Sequence, residues 1–245
     1  ITVNNNLTLG GAGAATIDVN TRDPVLDING SLTIGSGDTF SASDTGTFSL
    51  AGSFTNNGTF NANGGTLTLD STTVATILST NNMTFHNLTA TTLGKSLQFQ
   101  KHTANTPTFT FDSGGQFTVT GSGGTPNNFI KIQSDIPGNQ WLVFFTSAQN
   151  AITYAFVRDS ACALNSLSVA FSITNAGGGN NGSCWNIGNM GADGLQAVTS
   201  VEMGNGGGTL QVGGTVSGGN NTESGSGGGT LQVGGVPSGG GGASP

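Results

Sequence analysis

The segments "NLTL", "TIDV", "VLDI", "SLTI", "TFSL", "GTFNA", "GTLTLD", "LQFQ", "TFTFD" and "QFTVT" follow one another from residue 1 to about 135, each setting apolar residues two positions apart. Period two is the signature of a β-strand, whose successive side chains leave opposite faces. Each strand is short, about four residues, and Gly, Asn, Asp and Ser fill the gaps, the residues that form turns. No window of roughly a dozen residues carries the spacing of an amphipathic helix. The chain is therefore all-β. Two architectures use such strands, a right-handed parallel β-helix (β-solenoid) and a large β-sandwich. Near-interchangeable units such as "GSLTIGSGDTF" and "GTFSLAGSFTNNGTFNANGGTLTLD" favour the solenoid, in which each coil buries its apolar face only by stacking on the next. At roughly 20–25 residues per coil the region supplies about six coils, a stack about 30 Å tall. Phe40, Phe48, Leu50, Phe60, Leu67 and Leu69 are expected to point inward, with Thr, Ser and Asn outward. Because no strict period survives, the sandwich stands as the alternative.

Residues 136–190 differ: they hold both tryptophans, the one tyrosine and both cysteines, on longer strands, "WLVFF", "AITYAFV" and "LSVAFSIT". "G-x-Q-W" before an apolar strand, then "ITYAFVRDS", then "GGGNNGSCWNI" resembles a unit of bacterial extracellular parallel β-helix proteins, including adhesin-like surface proteins. The matching residues are Trp141, Tyr154, Val157, Asp159, Ser160, Asn180, Asn181, Trp185 and Ile187. The resemblance covers about fifty residues closely and implies a β-helix and a surface location, with no catalytic residues. Trp141, Phe144, Tyr154, Phe156 and Trp185 are read as the wide end of the core, in preference to a sugar-binding platform. Residues 1–190 then form a solenoid, with 136–190 its terminal coils, and 191–245 form a glycine-rich tail.

Charge narrows the function. Only 7% of the residues are charged, against about 25% in ordinary soluble domains. Five basic residues face 12 acidic ones, a net charge of −7. Arg22, Lys95, Lys101, Lys131 and Arg158 are too scattered to make a basic face, so nucleic acid is not an expected partner. No apolar run approaches the roughly 20 residues that cross a bilayer. A start at Ile1, without methionine or a signal pattern, reads as a processed piece. Abundant Thr, Ser, Asn and Gly with little Lys or Glu points outside the cell. There Cys162 and Cys184 are expected to form a disulfide, two buried thiols being the alternative. No His or further Cys at ligand spacing suggests zinc, and no cofactor is implied.

Enzymatic readings find little support. Glycoside hydrolysis needs two opposed carboxylates, and the carboxylates here sit singly at strand ends, where they commonly cap turns. Asp23 and Asp27 are read as a surface ion pair with Arg22. His86 in "MTFHNL" is read as a solvent-facing strand residue, and neither it nor His102 accompanies a G-x-S-x-G elbow. A calcium-binding nonapeptide is absent, and the Thr-x-Thr pairs and N-x-S/T sequons are no more than the composition provides.

The tail carries the clearest repeat. "GGGTLQVGGTVSGG" at 206–219 recurs as "GGGTLQVGGVPSGG" at 227–240, an offset of 21 residues. A flexible spacer needs only composition. Thr209, Leu210, Gln211, Val212, Thr230, Leu231, Gln232 and Val233 each fit a strand that cannot order its glycines unaided and needs an existing sheet edge. The expected edge is on a second copy of the chain, reached by strand addition and propagating into a filament. Folding back on its own solenoid and acting as a wall-spanning spacer are the alternatives. The leading expectation is thus a non-enzymatic structural subunit of an extracellular filament or surface fibre. A surface adhesin that binds glycans or another cell comes second, and a carbohydrate-active enzyme third.

Overall fold

The computed structural model describes residues 1–103, 107–122, 126–147, 152–166, 169–173, 182, 184–187, 210–213 and 231–234. It divides into two units, Ile1–Gln196 and Ala197–Pro245.

The first unit is a parallel β-solenoid of about seven turns, each built from short strands. The first turn holds β1 (Thr2–Val3), β2 (Leu7–Leu9) and β3 (Thr16–Asp18); the second, β4 (Leu26–Ile28), β5 (Leu32–Ile34) and β6 (Thr39–Ser41). The third holds β7 (Thr47–Leu50), β8 (Phe54–Asn56) and β9 (Thr59–Asn61); the fourth, β10 (Thr66–Leu69), β11 (Ala75–Ser79) and β12 (Met83–Phe85). The fifth holds β13 (Asn87–Ala90), β14 (Ser96–Phe99) and β15 (Thr108–Phe111); the sixth, β16 (Phe117–Thr120), β17 (Ile130–Ser134) and β18 (Trp141–Phe145). The seventh is β19 (Ile152–Val157) and β20 (Ser160–Cys162), on which β21 (Val169–Ile173) and β22 (Trp185–Ile187) continue. The second unit contains β23 (Leu210–Gly213) and β24 (Leu231–Gly234).

Equivalent strands stack into three faces. The first runs β1-β4-β7-β10-β13-β16 and the second β2-β5-β8-β11-β14-β17. β19 is long enough to close both: Ile152 and Thr153 pair with β16, and Ala155 to Val157 with β17. The third face is split into β3-β6-β9 and β12-β15-β18-β20, with no ladder joining β9 to β12. The repeat length explains why no strict period shows in the sequence. Phe48 pairs with Leu67 after 19 residues, whereas Leu97 pairs with Ile132 after 35. The corners take up the difference, and one of them carries a 3-10 turn at Pro126–Asn128.

Inward columns are apolar in register, for example Ile28, Leu50 and Leu69 on the first face and Leu32, Phe54, Ile77 and Phe99 on the second. Burying each such side chain contributes about 1.5–3 kcal/mol. Along the third face Phe40, Phe60, Phe85, Phe111 and Phe145 form a continuous ring ladder, with successive centroids 6.3, 5.9, 5.7 and 5.3 Å apart. Of the residues expected inside, Phe40, Phe48, Leu50, Leu67 and Leu69 are buried, while Phe60, beside the split, is only partly so. Outward columns are small and polar, as in Asp27, Ser49, Thr68, Thr89 and Thr118.

Candidate functional site

The aromatic end of the solenoid owes its construction to the residues that carry the motif. Trp141 is fully buried and stacks on Phe99, rings 4.2 Å apart and 13° from parallel. Its backbone N–H donates to the Asp159 carbonyl at 2.9 Å. Asp159, at φ 52°, turns the chain from β19 into β20, and its Oδ2 accepts from the Gly138 N–H at 3.0 Å. Ser160 is fully buried because its hydroxyl oxygen accepts from Trp185 Nε1 at 2.8 Å, and its carbonyl accepts from the Gly182 N–H at 2.6 Å. Val157 is buried, and Ile187 lies opposite Phe171 in the β21–β22 pair. Asn180 and Asn181 lie outside the described residues.

Cys162 and Cys184 are joined, with S–S 2.02 Å and Cα–Cα 5.8 Å, tying the seventh turn to β22. Gly182 makes room for the bond: a Cβ there would lie 2.4 Å from Cys162 Sγ and 2.6 Å from its backbone nitrogen. A disulfide is compatible with an oxidising extracellular compartment.

The reading of all five motif-region aromatics as core is corrected for three of them. Trp141 and Trp185 are inside, but Phe144, Tyr154 and Phe156 face outward and are half-exposed. Phe144 follows from unbroken alternation on β18, where Trp141, Val143 and Phe145 take the inner face; for Tyr154 and Phe156 the cause is the backbone of β19. Tyr154 has φ 46°, a conformation bulky residues seldom adopt, and the pairing with β21 shifts register between Thr153 and Ala155. Strict alternation would put Ile152, Tyr154 and Phe156 on one face. The irregularity reverses the phase, so that Ile152, Ala155 and Val157 are inside. Gly121 lies against this corner, where a Cβ would meet the Tyr154 carbonyl oxygen at 2.2 Å. Outside, the rings gather: Phe129 lies 4.9 Å from Phe156 and 5.9 Å from Tyr154.

The titratable groups mostly hold turns together. Asp38 is buried and accepts from the Ala15 N–H at 2.7 Å, and Asp135 from the Lys101 N–H at 2.7 Å. Asp23, expected to pair with Arg22, instead accepts from Ser43 Oγ at 2.6 Å in the next turn. That bond, with a weaker one from the Asp44 N–H, holds its carboxyl below the usual value against partial desolvation. Lys95 is fully buried and donates from Nζ to the Ser71 carbonyl at 2.6 Å and the Thr73 carbonyl at 3.2 Å. Burial pushes its ammonium below the usual lysine range, and the nearby Asp70 opposes this. His86, read from the sequence as a solvent-facing strand residue, lies just past the end of β12, is partly buried, and is paired: its Nδ1 lies 2.6 Å from Asp112 Oδ1. The partner comes from the next turn of the third face, 26 residues on, a proximity that only the stacking register reveals. No hydroxyl or thiol is hydrogen-bonded to the His86 ring among the described residues, and these hold no group of three or more His, Cys, Asp or Glu able to take a metal ion. No helix among them is long and apolar enough to cross a membrane.

In the second unit the tail repeats meet each other. β23 and β24 pair in parallel and in register, Leu210 with Leu231, Gln211 with Gln232 and Val212 with Val233. Thr209 and Thr230 lie outside the described residues. Scans of the chain against protein-family models, curated proteins and solved structures find no match.

Proposed function

We propose that the protein is a non-catalytic structural subunit of an extracellular filament or surface fibre, joined to further copies of itself by strand addition through its tail. The observation that carries this reading is the pairing of the two tail repeats, parallel and in register at the solenoid's own kind of spacing. The tail motif therefore makes solenoid-like rungs. Two strands of four residues fall short of independent stability, and the pair presents an open edge on either side. The first turn of the solenoid offers a matching edge. Val3, Leu7 and Ile17 are only partly buried there, whereas their register partners Ile28, Leu32 and Phe40 in the second turn are fully buried. A tail rung laid on that edge completes the burial, and a contact between unlike surfaces propagates instead of closing.

Electron microscopy with sedimentation tests this. The full chain is expected to form fibres. Deleting residues 199–245, or changing both Leu210 and Leu231 to Asp, should leave a folded solenoid that does not assemble, because a carboxylate buried without a partner is costly. Fibres of normal length from either variant would reduce the tail to a spacer.

A further inference from the structure

We propose that the outward patch of Phe129, Tyr154, Phe156 and Lys131 is a binding site for a carboxylated polysaccharide. Elsewhere the outward columns are mainly Thr, Ser and Asn, and such a surface gives no reason to display rings. Here the half-exposed ring of Phe129 lies beside those of both Tyr154 and Phe156 on the outside of the second face and its corner. The backbone is bent to put them there. Tyr154 takes a positive φ at a register shift, and Gly121 accommodates the close approach of its carbonyl. Irregularities of this kind re-aim side chains and are maintained where the site needs them.

The chemistry around the rings selects the ligand. A pyranose has flat C–H faces, which suit the electron-rich face of an aromatic ring, and a rim of hydroxyls. Gln98 and Gln133 stand in register on the same outward face. The Gln98 carbonyl oxygen is occupied by the Thr76 hydroxyl, so its NH2 serves as donor to a ligand. Lys131 lies opposite Phe156 in the ladder, is exposed, and has no ion-pair partner among the described residues. Arg158 follows two residues after Phe156, though its charge is shared with Asp159 at 3.6 Å. The outward positions of β14, β17 and β19 carry no carboxylate. In a chain of net charge −7, the Lys131 ammonium beside these tilted rings is complementary to a sugar carboxylate. A neutral glycan would use the rings and amides but leave Lys131 without a role.

Tyr154 is the only tyrosine in the chain, so ring-labelled tyrosine gives a single NMR signal that reports on the patch. The full-length chain carrying Leu210→Asp and Leu231→Asp, which separates this test from tail-driven assembly, is titrated with polygalacturonate fragments and, separately, with neutral galactan of matched length. Polygalacturonate is expected to shift the Tyr154 signal, and galactan to act much more weakly. Phe156→Thr should weaken polygalacturonate binding about tenfold. Lys131→Gln, at an exposed position, should abolish most of the salt dependence, which distinguishes a lost charge from a damaged fold. An unmoved Tyr154 signal at millimolar saccharide overturns the site, and equal affinity for galactan overturns its anionic ligand. A signal that moves with protein concentration alone assigns the patch to contacts between copies and overturns the proposal.

Discussion

Phe111 and Phe60 occupy the same ring ladder but should respond very differently to truncation. Phe111 is fully buried, with the rings of Phe85, Phe117 and Phe145 at 5.7, 4.8 and 5.3 Å. Phe60 has more ring neighbours, Phe40, Phe48, Phe54 and Phe85 at 5.0–6.3 Å, yet is only partly buried. Phe111→Ala withdraws on the order of 150 Å² of buried apolar surface, about 3–4 kcal/mol, and leaves a closed cavity that adds about 1 kcal/mol. At Phe60 part of that surface is already wet and water can enter the space left behind, so the cavity contribution falls away and the cost drops to about 2 kcal/mol. Urea unfolding of the oxidised protein, followed by far-UV circular dichroism with slopes compared between variants, measures both. Equal costs would mean that ring contacts, not exclusion of water, set the stability of the ladder. A cost below about 2 kcal/mol at Phe111 would contradict the burial assigned to it.

Replacing both Cys162 and Cys184 by Ser should lower stability by about 3 kcal/mol, since the bond spans 22 residues; a chemical melt showing no loss would make the staple ornamental. The Asp23 carboxyl is held below 3.8 chiefly by the Ser43 hydroxyl. The stability it contributes is therefore complete above pH 3.8 and disappears as pH falls through its lowered folded value; Ser43→Ala should narrow that acid-side loss in a pH series of unfolding curves. Lys95 behaves oppositely. Its folded form gives up its proton below the ordinary 10.5, so its contribution to stability rises with pH from the lowered value up to 10.5. Lys95→Met should remove that rise, and an unchanged alkaline slope would show that some other group causes it.

Much of the fold was legible because one physical rule covered most of the first 135 residues. Where alternation is unbroken, as in "TLTL" and "TFTF", the inward residues are the expected ones. Phe60 departs because β9 has no ladder partner in the fourth turn, a property of how the turns stack and not of the strand itself. "ITYAFV" misleads for a different reason: a backbone irregularity at Tyr154 reverses the face on which later residues emerge, and no side-chain pattern announces it. His86 was visible as a candidate but its partner Asp112 was not, because corner insertions blur the register between turns. The cysteine pair could be paired on chemistry alone, there being no third candidate. The tail repeat was plain, but not that each copy lies against the other.

The split in the third face divides the rod mechanically. Every other junction between successive turns, from the first to the seventh, is held by hydrogen-bonded ladders on three sides. The junction of the third and fourth turns has ladders on two, β7 to β10 and β8 to β11, and no ladder on the third side, where Phe60 lies 5.9 Å from Phe85. In a stack whose stability is a sum of nearest-neighbour couplings, that junction is the weakest link. Under axial load the rod therefore yields there first, parting into a block of three turns and a disulfide-stapled block of the rest. In the proposed fibre that would place a point of give inside every subunit; a single-molecule extension trace of the chain without an early event of that length would contradict it.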